Sequence, residues 1–261
     1  MKILVLIKQT PDTETKIRLS GDGKSIEPGD VKFIINPYDE FAIEEALKLK
    51  EKLGSGEVVI TSFGSEAAKE LIVKGLAMGG DRGLLINSTG VESTDSLGIA
   101  KVLAGAIKAE KADIVFCGKQ AIDDDNMHVG TMAAEILGWP HVNVVTKFDL
   151  SGTTARVERE VEGGKVEVYD VTLPAIFGAH KSLNTPRYAS LPGIMKAKKK
   201  PFDVKTPSEL GVDTVSLKAK SVIKGYKYPP EKPKGKVFAG EPVEAMVEKV
   251  VKLLREEAKV I

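Results

Sequence analysis

The chain has 261 residues, 42% of them hydrophobic, which is enough for one large domain or a domain with an appendage. Lys and Arg total 38 against 37 Asp and Glu, and the resulting net charge of +1 excludes a global field that would draw the protein to nucleic acid or a membrane surface. A single cysteine, Cys117, excludes an internal disulfide framework and fits a reducing compartment, and three scattered histidines (His128, His141, His180) argue against a zinc site.

Met1 to Ile7 is apolar but too short for a signal segment, and nothing downstream reaches the roughly 18 apolar residues of a membrane span. A soluble, cytoplasmic-type protein is expected. Ile3-Leu4-Val5-Leu6-Ile7 reads as a strand covered on both faces. The polar stretch from Lys8 to Asp30 predicts two short strands, Thr15 to Leu19 and Ser25 to Glu27, joined at Gly21-Asp22-Gly23. Asn36-Pro37-Tyr38-Asp39 is a helix start, with Asn36 as N-cap, Pro37 at N1 and a carboxylate at N3. That helix is expected to run to Leu53 and stop at Gly54. An ordinary helix start explains the motif without a ligand, although Tyr38 there could also face a base or a flavin.

Val58 to Thr61, Leu84 to Ile86 and Ala112 to Cys117 are the next core strands. They alternate with helices at Glu66 to Met78 and from the caps Ser93-Thr94-Asp95 to about Glu110. Such alternation predicts an α/β fold with a doubly wound, mainly parallel sheet. Its ligand site should lie beyond the carboxyl ends of the strands, where their order reverses. Leu6-Ile7-Lys8, Ser62-Phe63-Gly64 and the loop opening at Gly118 then share one rim, and the Asn36 helix start must fold back over it.

The loop itself reads Gly118-Lys119-Gln120-Ala121-Ile122-Asp123-Asp124-Asp125-Asn126-Met127-His128-Val129-Gly130, before a helix at Thr131 to Leu137. A polar loop from a strand into a helix suits a phosphorylated ligand, because helix-initial N–H groups are unpaired and the dipole favours an anion. Three consecutive aspartates would repel a phosphate unless they point elsewhere, to cap amides or to meet a ribose hydroxyl or a cation. Neither GxGxxG nor GxxxxGK[ST] occurs, which argues against an ordinary NAD dehydrogenase and a P-loop ATPase. No nucleophile or acid/base constellation is readable, and Cys117 is expected to pack at a strand end.

After Trp139-Pro140 the pattern turns to longer β segments, Asn143 to Phe148, Ala155 to Val161 and Lys165 to Leu173, followed by a core-like strand at Ala175 to Gly178. Leu183 to Lys200 is a Pro-bounded loop with an exposed-looking Leu191 and a basic cluster, Lys196 and Lys198 to Lys200. The lysines are a solvated helix end, or else they ring an apolar anchor that docks on an acidic partner. The chain is therefore divided into an α/β domain over residues 1–200 and an extended arm over 201–261. In the tail, Val243, Met246, Val247, Val250, Val251 and Leu254 fall on one helical face that packs on a neighbouring subunit or back on its own domain.

Taken together, four stretches resemble the β subunit of electron transfer flavoprotein. They are Asn36 to Glu40 with Glu44-Glu45-Ala46, Gly118 to Asp125, Val157 to Glu160 through Gly163-Gly164 to Ala175, and Pro186 to Pro192 with Ile194 to Lys200. The resemblance makes the doubly wound sheet the adenine-nucleotide-binding type. It implies an electron-carrier subunit, not an enzyme, paired with an α subunit whose mobile domain carries a redox FAD. It implies electrons taken from primary dehydrogenases, such as the acyl-CoA dehydrogenases of fatty-acid oxidation, and passed to a quinone-linked oxidoreductase. It implies a structural AMP against Leu6, Asn36, Pro37, Tyr38, Asp39, Phe63, Gly118, Lys119, Gln120, Ala121, Ile122, Asp123, Asp124, Asp125, Asn126, Met127, His128 and Val129. Members that bifurcate electrons hold a second FAD there instead. By the same resemblance the tail helix packs on the α subunit, while Leu191, with Lys196, Lys199 and Lys200, docks the dehydrogenase; those lysines resemble sites methylated in some members.

The sequence departs from the family at several points. Met127-His128-Val129-Gly130 stands where AMP-binding members commonly have Asn-Gln-Thr-Gly. Phe177 to Ser182 differs from the usual Val-Thr-Ala-Asp-Leu-Arg. Thr13 stands where some members place an aromatic beside the flavin, which leaves Tyr38 as the aromatic contact. Asp123-Asp124-Asp125-Asn126 is closer to the AMP kind than to the Asp-Gly-Asp-Thr of bifurcating members. A free-standing nucleotide sensor is a further reading, against which the arm and the lysine-rich loop weigh.

Overall fold

Strand β1 (Lys2–Leu6) is apolar at consecutive positions because both of its faces are covered: Ile3 and Val5 enter one core, Leu4 and Leu6 the other. The computed structural model describes residues 1–27, 29, 31–91, 94–232 and 234–261. Around β1 the chain lays down β2 (Gln9–Pro11), β3 (Phe33–Ile35), α1 (Pro37–Leu53), β4 (Glu57–Gly64), α2 (Ala68–Met78), β5 (Arg82–Asn87), α3 (Ser96–Glu110), β6 (Ile114–Gly118) and α4 (Val129–Leu137). There follow β7 (His141–Ser151), β8 (Thr154–Val161), β9 (Lys165–Thr172), β10 (Ala175–Ala179), α5 (Leu191–Ala197), β11 (Phe202–Lys205) and α6 (Val243–Glu256).

Nine strands form one sheet in the order β11-β5-β4-β1-β6-β10-β7-β8-β9. Pairing is parallel from β11 to β7, and β7, β8 and β9 continue it as an antiparallel meander. Apolar residues of α1, α2 and α5 pack on one face, and those of α3 and α4 on the other. The expected doubly wound α/β fold is what the chain adopts. From β1 the chain winds outward through β4 and β5, then returns to the other side of β1 with β6. The order therefore reverses between β1 and β6, and a crevice opens there at the strand carboxyl ends. Ala175 to Ala179 is fully buried in β10, which the chain inserts between β6 and β7 on its way back from the meander.

One local expectation, the pair of short strands after Lys8, is corrected. Thr15 to Leu19 and Ser25 to Glu27 do not form strands; one antiparallel bridge joins Leu19 to Ile26. The segment is polar on both sides and offers no apolar face to bury, so pairing stops there. The strands that do form are β2 and β3, antiparallel, and they carry Asn36 back over the rim, where its N–H meets the Lys8 carbonyl at 2.9 Å. The cap of α3 is Asp95, whose carboxylate accepts from the N–H groups of Leu97 and Gly98; Ser93 lies outside the described residues.

The chain divides into two compact units, Met1–Gly225 and Tyr226–Ile261. This division does not coincide with the boundary expected at residue 200, because Phe202–Lys205 pairs in parallel with β5 and extends the sheet. In the second unit, α6 buries none of its residues, and Val243, Val247, Val250, Val251 and Leu254 are exposed. Among the described residues no helix is long and apolar enough to cross a membrane, and no cluster of His, Cys, Asp and Glu could hold a metal ion.

Candidate nucleotide site

A cleft of about 850 Å³, counted out to its open mouth, lies at the reversal point. Of the eighteen residues expected there, Leu6, Asn36, Asp39, Phe63, Gly118, Lys119, Gln120, Ala121, Asp124, Asn126, Met127, His128 and Val129 line it. Pro37, Tyr38, Ile122, Asp123 and Asp125 do not. Ile7, Lys8, Cys117 and Gly130 also line it, as do Ser96, Ile99 and Leu103 from α3. The α3 residues escaped the sequence reading, although their spacing of three and four places them on one helical face directly after the Asp95 cap.

Asp39 ties the base of the cleft together. Its carboxylate accepts from the N–H of Lys8 at 2.7 Å, the N–H of Gly118 at 2.8 Å and the side-chain amide of Asn36 at 2.9 Å. These bonds join the end of β1, the start of α1 and the end of β6. Burial drives the Asp39 pKa up to about 7 against the pull of those donors. Gly118 is required by this closeness: a Cβ there would sit 2.5 Å from Asp39 Oδ1 and 2.6 Å from Tyr38 Cβ.

Asn36 does not cap α1 with its side chain. Its amide nitrogen donates to Asp39 Oδ1 and to the Gln120 carbonyl at 2.8 Å, and its oxygen accepts from the Ile122 N–H at 3.2 Å. The expected cap is instead a stitch that holds the far loop onto α1.

The aspartates are paired with Lys8 and within their own loop. Lys8 Nζ bonds Asp123 Oδ1 at 2.8 Å and Asp124 Oδ2 at 3.1 Å. Asp124 also accepts from the Asn126 N–H, and Asp125 takes the Gln120 side-chain amide. Burial works against the Lys8 charge, but the bonds and attraction of Asp123 and Asp124 outweigh it and raise its pKa.

Two helix N-termini reach the rim, and they differ. The first amides of α3 are already engaged by Asp95, whose carboxyl is held down to about 2 by backbone donors from Gly98 and from Lys220 and Ser221. Helix α4 has no side-chain cap. Helix geometry leaves the amides of Val129, Gly130 and Thr131 without a helical acceptor, while Met132 N–H already bonds the His128 carbonyl. Gly130 keeps this start close to β6, since a Cβ would lie 2.9 Å from Cys117 Sγ. Cys117 itself is driven up to about 12 by burial, which leaves it a protonated wall residue.

Tyr38, outside the cleft lining, forms a cluster with Lys119 and His180. Lys119 Nζ lies 5.2 Å from its ring centre, and the His180 ring lies 6.5 Å away, centre to centre. Nearby, Asn143 Nδ2 bonds the Lys119 carbonyl at 3.1 Å, and Val144 holds a positive φ of 61° that β-branched residues rarely adopt.

The segment expected to dock a partner is anchored at both ends. Arg187 forks onto Glu44 (2.8 and 2.9 Å) and Glu51 (2.5 and 3.1 Å) of α1, and Asn184 bonds Glu45 and the Phe41 carbonyl. Between the anchors Tyr188 is 98% exposed, Leu191 79% and Met195 76%. Lys196 and Lys199 face solvent. Lys200 does not join them: its ammonium caps the end of α2, donating to the carbonyls of Leu76 at 2.9 Å and Gly80 at 2.5 Å.

Comparison with known proteins adds a separate finding. The family model described as "Electron transfer flavoprotein domain" matches residues 25–210. The chain is 44% identical over 262 residues to the electron transfer flavoprotein subunit beta of Bacillus subtilis, covering all of both chains. It is 40% identical over 255 residues to the subunit of the same name from Homo sapiens, covering 97% of this chain and 96% of the relative. A third relative of that name, from Bradyrhizobium diazoefficiens, is 44% identical over 216 residues, or 83% of this chain and 86% of its own.

Proposed function

This chain belongs to the family of electron transfer flavoprotein β subunits, and from that premise we propose that it forms the nucleotide-filled base of a heterodimeric electron carrier. The α subunit supplies most of the pocket for a redox FAD, the group that accepts and releases electrons when bound. This chain supplies a rigid platform, one side of the flavin's surroundings and a docking loop, in a cytoplasmic location. The electron donor is an acyl-CoA or related dehydrogenase and the acceptor a quinone-linked oxidoreductase.

The observation that carries the reading of the cleft is the uncapped start of α4, aimed at the reversal point between β1 and β6. The donor set suits an adenine nucleotide. Leu6, Phe63, Ile99 and Leu103 give an apolar wall for a base, and Ser96 and Asn126 offer polar groups for a ribose. The amides of Val129 and Gly130 suit a phosphate. AMP is the favoured occupant. Lys8 and Asp39 hold the walls in place, and no residue of the cleft is asked to make or break a bond. The cluster of Tyr38, Lys119 and His180 is the part of this chain offered to the flavin, and Leu191 with Lys196 and Lys199 is the part offered to the dehydrogenase.

A second reading places another FAD in the cleft. It is favoured by Met127 and Val129, which put apolar side chains where AMP-binding members carry polar ones. Co-expression with the α subunit, denaturation of the purified complex and quantification of the released nucleotides separates the two. One FAD and one AMP per dimer is expected; two FAD and no AMP would establish the second reading. Release of no nucleotide beyond the flavin of the α subunit would remove both.

A further inference from the structure

Lys8 is held at both ends. Its backbone N–H donates to Asp39 at 2.7 Å and its carbonyl accepts from Asn36 at 2.9 Å, while its ammonium reaches across the cleft mouth to Asp123 and Asp124. The loop that it grips is held in a costly shape. Asp125 and Met127 both lie in the left-handed region, at φ 51° and 58°, where side chains are disfavoured and a surrounding restraint is required. Beyond that loop stand the amides of α4. Without Lys8, two adjacent carboxylates would be left without a counter-charge beside a site whose free donors suit an anion.

We propose that Lys8 is a positioning residue for the cleft: its ion pairs with Asp123 and Asp124 hold the 119–128 loop in the shape that presents α4 to the ligand. They also offset the two carboxylates that would repel a phosphate. The proposal rests on the reading of the cleft as a nucleotide site and deepens it. It makes the acidic run a counterpart of Lys8 instead of a ribose or cation ligand. A rival role for Lys8, direct contact with the phosphate, uses the same side chain and is told apart by a ligand that lacks the phosphate.

The test uses the complex with the α subunit, stripped of its cleft nucleotide and titrated with AMP and, separately, with adenosine. Lys8→Ala is expected to weaken adenosine by about fivefold, the scale of a pair of half-exposed ion pairs, and AMP by at least as much. Lys8→Arg should restore most of the loss. In an Asp123→Asn/Asp124→Asn background, Lys8→Ala should cost nothing further, since the carboxylates through which it acts are gone. Weakening of AMP alone, with adenosine untouched and the loss persisting in that background, would overturn the proposal in favour of direct contact. Hydrogen exchange of amides 120–128 in the nucleotide-free complex gives a second readout. Faster exchange in Lys8→Ala than in wild type supports the latch, and equal exchange overturns it. Should the wild type bind neither ligand, the nucleotide reading fails and the exchange result alone decides the role of Lys8.

Discussion

Replacement of Asp39 by alanine tests the junction beneath the cleft. The carboxylate accepts three hydrogen bonds and is almost fully buried, so Asp39→Ala leaves the N–H groups of Lys8 and Gly118 without an acceptor. Each of the two buried orphans costs about 1–3 kcal/mol, which gives a loss of about 2–6 kcal/mol. The loss should depend on pH. Burial raises the carboxyl from 3.8 to about 7, so between those values the native state holds a proton that the unfolded chain has released. The contribution of Asp39 is therefore full below the unfolded value and is lost as pH rises through about 7, at up to about 1.4 kcal/mol per pH unit. Urea unfolding of wild type and variant at about pH 5 and about pH 8 should show the larger difference at the lower pH, by roughly 2–3 kcal/mol. A difference under about 1 kcal/mol at both would refute the junction. A larger difference at the higher pH would show that the three donors outweigh burial and keep the group ionised.

Gly118→Ala forces a methyl to within 2.5 Å of Asp39 Oδ1, so thermal unfolding should report a loss of about 1–3 kcal/mol together with a loss of cleft ligand. A variant of unchanged stability and nucleotide content would contradict the packing described. Arg187→Ala strips buried Glu44 of its counter-charge and leaves it only the backbone N–H of residue 187; because Arg187 is itself about one-third exposed, the cost is about 1–3 kcal/mol. Its clearer mark is faster proteolytic cutting within residues 184–200, and an unchanged cutting rate would mean that the loop holds its shape without the anchor. Leu191→Ala should shift stability by less than about 0.5 kcal/mol, given its exposure, while slowing reduction by the dehydrogenase. Unchanged reduction would remove its docking role.

The sequence made the fold and the location of the cleft legible because both follow from short-range patterns. Continuous apolar runs marked strands covered on two faces, and their alternation with helical periods implied where the order of strands reverses. What stayed hidden depends on partners distant in the chain. Asn36 looked like a cap because local rules know only its helix; besides Asp39, its side chain bonds Gln120 and Ile122, more than 80 residues away. The aspartates looked misplaced because Lys8, 115 residues before Asp123, cannot be paired with them by spacing. Lys200 read as one more docking charge, whereas its ammonium closes the last turn of α2. Ser96, Ile99 and Leu103 follow ordinary helix periodicity, and only the packing of α3 on the sheet turns that face into a wall.

Helix α1 serves as a yardstick. Its first turn carries Asp39, fixed to the floor of the cleft, and further along Glu44 and Glu51 grip Arg187 at the root of the exposed loop. At about 1.5 Å per residue, the rod sets an interval of ~18 Å between Asp39 and Glu51. A partner seated on Leu191 is thus gauged against the same ruler as whatever fills the cleft. Lengthening α1 by one residue would change that interval only slightly, but would swing Arg187's two carboxylates by about 100° around the axis. The reach of the loop is therefore set by helical phase as well as by length, and insertions within α1 should be tolerated far less than insertions in the polar stretch before β3.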